Sequence, residues 1–125
     1  MAEAAAPSRV AVLGAGNFGT VLANIVAARG HRVELWLRDA ERAGELARER
    51  ENRRYLPGHR LHDGVEPVTD LGRAVTGAGL VFVAVPSASF DEVAAGIAPH
   101  LAAGSFLLST TKGLRPIPNA PDGAF

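Results

Sequence analysis

Short apolar runs alternate with stretches of helical periodicity along this chain. The apolar runs lie at 9–13, 32–37, 65–68, 80–85 and 105–110, and the helical stretches lie at 17–29, 40–53, 70–77 and from 89 to about 101. Strands that alternate with helices are joined by right-handed crossovers and form a parallel sheet. The pattern therefore predicts an α/β fold, with a doubly wound parallel sheet of five strands in a single domain. Strand 9–13 is expected in the centre.

Several local signals refine this prediction. Pro67 has no N–H to donate to a neighbouring strand, so its strand is expected at an edge of the sheet. Asp39 can cap the N-terminus of the second helix. Ser89 and Glu92 fit a capping box that would open the last helix.

Composition limits the classes of function. The 125 residues include 13 basic side chains, 13 acidic side chains and no cysteine. A net charge of zero argues against a nucleic-acid partner, and the lack of cysteine excludes a disulfide scaffold and a thiolate nucleophile. No apolar run approaches the ~20 residues that span a bilayer, and residues 1–8 do not resemble a signal peptide. We therefore expect a cytoplasmic protein without membrane insertion.

A glycine-rich turn follows the first strand and opens the first helix. Gly14, Gly16 and Gly19 form the pattern G-x-G-x-x-G. The first glycine permits a tight turn, the second lets the backbone approach a pyrophosphate, and the third lets helix and strand pack closely. The helix N-terminus then favours the anion. This context predicts a Rossmann-type dinucleotide-binding domain over residues 9–114; the alternative is an ordinary glycine-rich turn.

The end of the second predicted strand bears on the choice of dinucleotide. An acidic residue at this place typically binds the ribose hydroxyls of NAD. Asp39 could do so, although the preferred interpretation is that it caps the helix. Arg38 could bind a 2′-phosphate or stack on adenine, or it could be a solvent-facing charge. The pair favours NADP as the cofactor and leaves NAD open.

Lys112 is the only lysine among 13 basic residues. It follows the last predicted strand, at the edge of the sheet that faces the ligand in open parallel sheets. A compact ammonium there could contact a substrate phosphate or a reacting oxygen; the alternative is a chance lysine on a surface turn. Phe90 could lie against the cofactor or belong to the core. His59 and His62 share a loop with no third obvious ligand, so no metal site is expected.

An ordered set of motifs resembles the N-terminal domain of NAD(P)-dependent glycerol-3-phosphate dehydrogenase. The motifs are GAGNFGT at 14–20, LWLRD at 35–39, ENRRYLPG at 51–58, VAVPS at 83–87 and TTKGL at 110–114. The glycine turn and VPS occur in other dehydrogenases too, whereas YLPG together with TKG is more specific. The resemblance implies interconversion of dihydroxyacetone phosphate and sn-glycerol 3-phosphate, in phospholipid synthesis, with NADP or NAD as cofactor.

The resemblance also implies roles for individual residues. Asn17 and Phe18 would contact the cofactor in the glycine turn, Arg38 would favour NADPH, and Phe90 would line the cofactor cleft. Lys112 would touch both the cofactor region and the substrate, a phosphorylated triose. No catalytic residue is expected in this chain, because the family carries its main catalytic lysine in a second, helical domain.

Length is the main departure from the family. Residues 1–8 are expected to form a flexible tail and residues 115–125 an irregular proline-rich tail, with the helical domain absent. The chain is thus expected to be the cofactor-binding half of the enzyme, and a face left exposed would favour a homodimer. Two alternatives remain: a non-catalytic dinucleotide-binding module, and a related hydroxyacid dehydrogenase.

Overall fold

Five parallel strands form the centre of the protein. The computed structural model describes residues 9–101 and 103–109. In chain order the strands are β1 (Arg9–Leu13), β2 (Arg32–Trp36), β3 (Val65–Val68), β4 (Leu80–Val83) and β5 (Phe106–Ser109). Their order across the sheet is β3-β2-β1-β4-β5, and every pairing is parallel. The central position of β1 and the edge position of the Pro67 strand are confirmed.

Helices cover both faces of the sheet. They are α1 (Asn17–Ala28), α2 (Ala40–Glu49), α3 (Leu71–Val75) and α4 (Phe90–Ile97). One apolar cluster joins α1 and α2 to one face, and a second cluster joins α3 and α4 to the other. The doubly wound fold is therefore confirmed. None of the helices in the described part of the chain is long and apolar enough to cross a membrane.

The central strand divides its side chains between the two clusters. Val10 and Val12 belong to the cluster with α1 and α2, whereas Ala11 and Leu13 belong to the cluster with α3 and α4. All four are buried, as expected for a parallel strand covered on both faces. Full burial of a valine or leucine side chain contributes about 1.5–3 kcal/mol, so β1 anchors both layers.

Helix α2 ends four residues earlier than its sequence predicts. Arg50 follows it in the left-handed conformation, with φ 56°. Its guanidinium donates to the carbonyl oxygens of His62, at 2.6 Å, and Val65, at 2.8 Å. These two bonds, to the loop before β3 and to the first residue of β3, hold the chain where it leaves the helix. The predicted cap is confirmed, because Asp39 accepts hydrogen bonds from the backbone N–H groups of Glu41 and Arg42.

The predicted capping box at Ser89 is wrong. Residues Ser87–Ser89 form a short 3-10 turn, and the Ser89 side chain makes no capping hydrogen bond to α4. Glu92 pairs instead with Arg38, which follows β2. A contact between residues 54 positions apart thus replaces the local one.

The turn between β1 and α1 is tightly packed against the chain that leaves β4. Gly14 has φ 118°, and a Cβ atom there would lie 2.6 Å from the carbonyl oxygen of Ala84. A Cβ atom on Gly19 would overlap the carbonyl oxygen of Gly14. Both glycines are therefore required by the fold itself, because backbone atoms cannot yield as a flexible side chain can.

We expect Gly19→Ala to lower the free energy of unfolding by about 2–3 kcal/mol, the upper range for overpacking a tight site. Gly79→Ala is the matched control. A Cβ atom at Gly79 meets nothing within 4 Å, and φ is not positive there, so we expect a change within about 0.5 kcal/mol. Urea unfolding measures both. Equal stabilities of the two variants would contradict the close approach.

Candidate functional site

A cleft of about 510 Å³ opens at the carboxyl ends of the central strands. The strand order reverses between β1 and β4, and ligands of open α/β sheets bind at such a point. Six residues predicted from the sequence line this cleft, namely Gly14, Gly16, Asn17, Phe18, Gly19 and Arg38. It is lined as well by Ala15, Trp36, Leu37, Arg42, Tyr55, Ala84, Val85, Pro86, Ser87 and Ser89.

Gly16 leaves the N-terminus of α1 open toward this cleft. Gly16 precedes the helix and has no side chain that could cap it. The first turn of α1 contains no acidic residue. The first N–H groups of a helix have no partner within the helix, and with the helix dipole they attract an anion. A Cβ atom on Gly16 would meet nothing within 4 Å. Gly16 thus differs from Gly14 and Gly19, since packing does not require it.

Two side chains from the first turn of α1 border the cleft. The Nδ2 atom of Asn17 donates to the carbonyl oxygen of Tyr55 at 2.8 Å. Phe18 leaves 56% of its surface exposed although it is a large apolar side chain. The Asn17 hydrogen bond joins α1 to the loop that follows α2. The exposed ring of Phe18 offers an apolar surface to a ligand.

The side chain of Asn52 holds the glycine turn in place through hydrogen bonds. It is buried, with 2% of its surface exposed. Its Nδ2 atom donates to the carbonyl oxygen of Ala15 at 2.9 Å and to Oγ1 of Thr20 at 2.8 Å. Its Oδ1 atom accepts from the backbone N–H of Tyr55 at 3.3 Å. One amide side chain therefore fixes both ends of the turn and the loop opposite it.

Arg42 adds a second cation to the cleft wall. Its guanidinium lies 5.0 Å from the ring centroid of Tyr55 and 3.4 Å from the carbonyl oxygen of Ala15. Neither Arg42 nor Asn52 was predicted from the sequence as a site residue. The signal for Arg42 was its position four residues after Arg38, near the N-terminus of α2. The signal for Asn52 was its place in the ENRRYLPG motif at 51–58.

Arg38 forms a two-pronged ion pair with Glu92 of α4. Nη1 lies 3.1 Å from Oε2, and Nη2 lies 3.0 Å from Oε1. The hydrogen bonds and the charge of Arg38 hold the pKa of Glu92 below its usual range, and Glu92 raises the pKa of Arg38 in turn. The Arg38 guanidinium also lies 5.9 Å from the ring centroid of Trp36.

The side chain of Phe90 is not among those that line the cleft. Phe90 is partly buried and packs against the apolar cluster of α3 and α4, so its contact with a cofactor stays a prediction. Lys112 lies outside the described residues. Within residues 9–101 and 103–109, no three histidine, aspartate or glutamate side chains come together as a metal site would require.

A family model described as "NAD-dependent glycerol-3-phosphate dehydrogenase N-terminus" matches residues 9–120. The chain belongs to this family. The match includes the glycine turn, Arg38, the YLPG loop and Lys112, which are the positions that carried the sequence resemblance.

Relatives of the family agree in sequence and in structure. The chain is 53% identical over 106 residues to glycerol-3-phosphate dehydrogenase [NAD(P)+] of Teredinibacter turnerae, covering 85% of this chain and 31% of that protein. It is 51% identical over 105 residues to the enzyme of the same name from Ectopseudomonas mendocina, covering 84% and 31%. The crystal structure of glycerol-3-phosphate dehydrogenase from Coxiella burnetii superposes with a TM-score of 0.82 at 33% identity, covering 86% and 33%. The chain thus spans about a third of the length of these relatives.

We expect Asn52→Ala to lower the free energy of unfolding by about 1–3 kcal/mol, because it leaves buried partners in the turn without hydrogen bonds. Hydrogen exchange at the amides of residues 14–20 should become faster as well. Asn24→Ala is the control, because the less buried Asn24 also joins α1 to a loop, at Arg60 and His62, but makes no hydrogen bond to the glycine turn. Unchanged exchange in the glycine turn of the Asn52 variant would contradict the role of this side chain.

Proposed function

We propose that this chain binds NADP(H) or NAD(H) in the cleft beside α1, as the cofactor-binding part of a glycerol-3-phosphate dehydrogenase. The observation that carries the proposal is Gly16. Its backbone is free of packing constraints, borders the cleft and opens onto an uncapped helix N-terminus. A glycine that the fold does not need is explained by a ligand whose phosphates approach the backbone closely.

The residues around the cleft fit such a cofactor. The N–H groups at the start of α1 would hold the pyrophosphate. Arg38 would bind the adenosine side, and Arg42 would add positive charge between that side and the glycine turn. Phe18 would supply apolar contact. When bound, the nicotinamide ring carries the hydride, and the chain's own contribution is to hold and orient it.

The substrate of the reaction is proposed from the family. The relatives are named for glycerol 3-phosphate, and the chain would serve the exchange of hydride between that compound and dihydroxyacetone phosphate, in the cytoplasm. Lys112 would contact the substrate, and we assign no catalytic group within this chain. We also propose a homodimer, supported by the exposed apolar side chains of β5 at Phe106, Leu107 and Leu108.

Calorimetric titration of the 125-residue chain with NADPH and NADH tests the proposal, with turnover of dihydroxyacetone phosphate measured on the same sample. Trp36 is the only tryptophan of the chain and lines the cleft, so its fluorescence gives a second measure of binding. Binding to either dinucleotide supports the cofactor role. Binding without turnover is expected both of the cofactor-binding part of the enzyme and of a non-catalytic module, because no catalytic group is assigned to this chain. Turnover of ketoacids instead favours a related hydroxyacid dehydrogenase. Failure to bind either dinucleotide would overturn the proposal.

We expect Gly16→Val to abolish dinucleotide binding while the protein stays folded. The new side chain projects into open space, so it occupies the cleft rather than the core, and the loss of a favourable helix cap costs about 1 kcal/mol. Gly79→Val is the matched control, since Gly79 lies away from this cleft with equally open surroundings. Calorimetry and urea unfolding give the two readouts. Unchanged affinity in the Gly16 variant would reject the glycine-turn assignment.

We expect Arg38→Ala to weaken NADPH binding about tenfold more than NADH binding, because only NADPH has a 2′-phosphate to pair with the guanidinium. Arg53→Ala removes the same charge from an exposed ion pair outside the cleft and should leave both affinities unchanged. Titration with each dinucleotide measures the ratio. Equal losses of affinity for the two dinucleotides in the Arg38 variant would show that Arg38 does not bind the 2′-phosphate.

A further inference from the structure

The carboxylate of Glu92 occupies the face of Arg38 that a phosphate would use. Both terminal nitrogens of the guanidinium bind the carboxylate, at 3.0 and 3.1 Å. An arginine binds a phosphate with the same pair of parallel N–H groups. The two anions therefore compete for the same pair of guanidinium N–H groups, and Arg38 cannot bind both in this geometry.

The ion pair connects two parts of the chain across the end of the central strand. Arg38 follows β2 and Glu92 lies in the first turn of α4, which follows β4. Since β1 lies between β2 and β4 in the sheet, the pair crosses the end of β1, beside the point where the strand order reverses. Any ligand group held by Arg38 there lies close to Glu92.

The pair is exposed enough to open. The side chains of Arg38 and Glu92 keep 59% and 69% of their surface accessible, so solvent and salt weaken their attraction. An exposed glutamate is ionised at neutral pH, and Arg38 lowers the pKa of the Glu92 carboxyl group further. At neutral pH the competitor is thus a full negative charge, held in place by a bond that a stronger anion can displace.

We propose that Glu92 sets the choice between the two dinucleotides, by competing with the 2′-phosphate of NADP(H) for Arg38 and so reducing the preference for NADP(H). The inference rests on the proposed function. A phosphate monoester carries about −1.5 to −2 charges at pH 7, so it must displace Glu92 and then remain beside it. The ribose hydroxyls of NAD(H) carry no charge and need neither step.

Glu92→Gln tests this inference, because it removes the charge and preserves the size of the side chain. We expect the dissociation constant for NADP+ to fall about three- to fivefold, the range that an exposed ion pair allows, while that for NAD+ changes by less than about twofold. Calorimetry on the full chain gives both constants, and urea unfolding checks that α4 stays intact.

Two further variants separate competition from a general effect of charge. Asp63→Asn removes one negative charge from the exposed pair with Arg60, next to the start of β3 and thus at the opposite end of the sheet; both constants should stay unchanged. In an Arg38→Ala background there is no guanidinium to compete for, so Glu92→Gln should no longer alter the preference for NADP+. A double-mutant cycle therefore measures the coupling between Arg38 and Glu92 in NADP+ binding.

The possible outcomes separate this inference from the proposed function. Tighter NADP+ binding in the Glu92 variant, lost without Arg38, supports it. An unchanged ratio of the two constants, an equal change in both, or the same gain in the Arg38→Ala background overturns it and leaves the dinucleotide site standing. Failure of the unmodified chain to bind either dinucleotide overturns both proposals together.

Discussion

The close approach of α1 to the end of β1 is the constraint on which the cleft depends. Gly14 and Gly19 bring the backbone of the turn against itself and against Ala84, and this contact fixes where the N-terminus of α1 points. The buried side chain of Asn52 donates hydrogen bonds to Ala15 and Thr20 and so joins the two ends of the turn. A buried amide with satisfied partners rigidifies its surroundings. The result is a helix N-terminus that faces the cleft before any ligand arrives.

The sequence predicted the architecture well because strands buried on both faces of a parallel sheet are continuous runs of apolar residues. Strands β1 and β4 appear in the sequence as short apolar runs, and Pro67 placed β3 at an edge. The ends of elements were less predictable. The charged residues after Glu49 look helical, yet the chain leaves α2 because Arg50 binds carbonyl oxygens near β3, a contact that helix propensity does not encode.

The candidate site was predictable where its residues stand in a motif or directly follow a predicted strand, as Arg38 does. Gly14, Gly16 and Gly19 stand in a motif, and the motif gave their places at the cleft. Asn52 and Glu92 act through contacts with residues more than 30 positions away. Glu92 even presented a misleading local signal, since its spacing from Ser89 suited a capping box. Tertiary electrostatics outweighed the cap, because the charged fork of Arg38 binds a carboxylate more strongly than a neutral backbone N–H does.

The proposed site would combine two kinds of recognition with different tolerance to change. The glycine turn would bind through backbone N–H groups whose positions are set by packing, so any dinucleotide with a pyrophosphate would meet the same fixed geometry. The adenosine side would depend on Arg38 and Glu92, whose exposed side chains can exchange partners at little cost. In this proposal, affinity common to both dinucleotides comes from the rigid part of the site. Discrimination between them comes from the adjustable part, where a single carboxylate would change the preference without disturbing the fold.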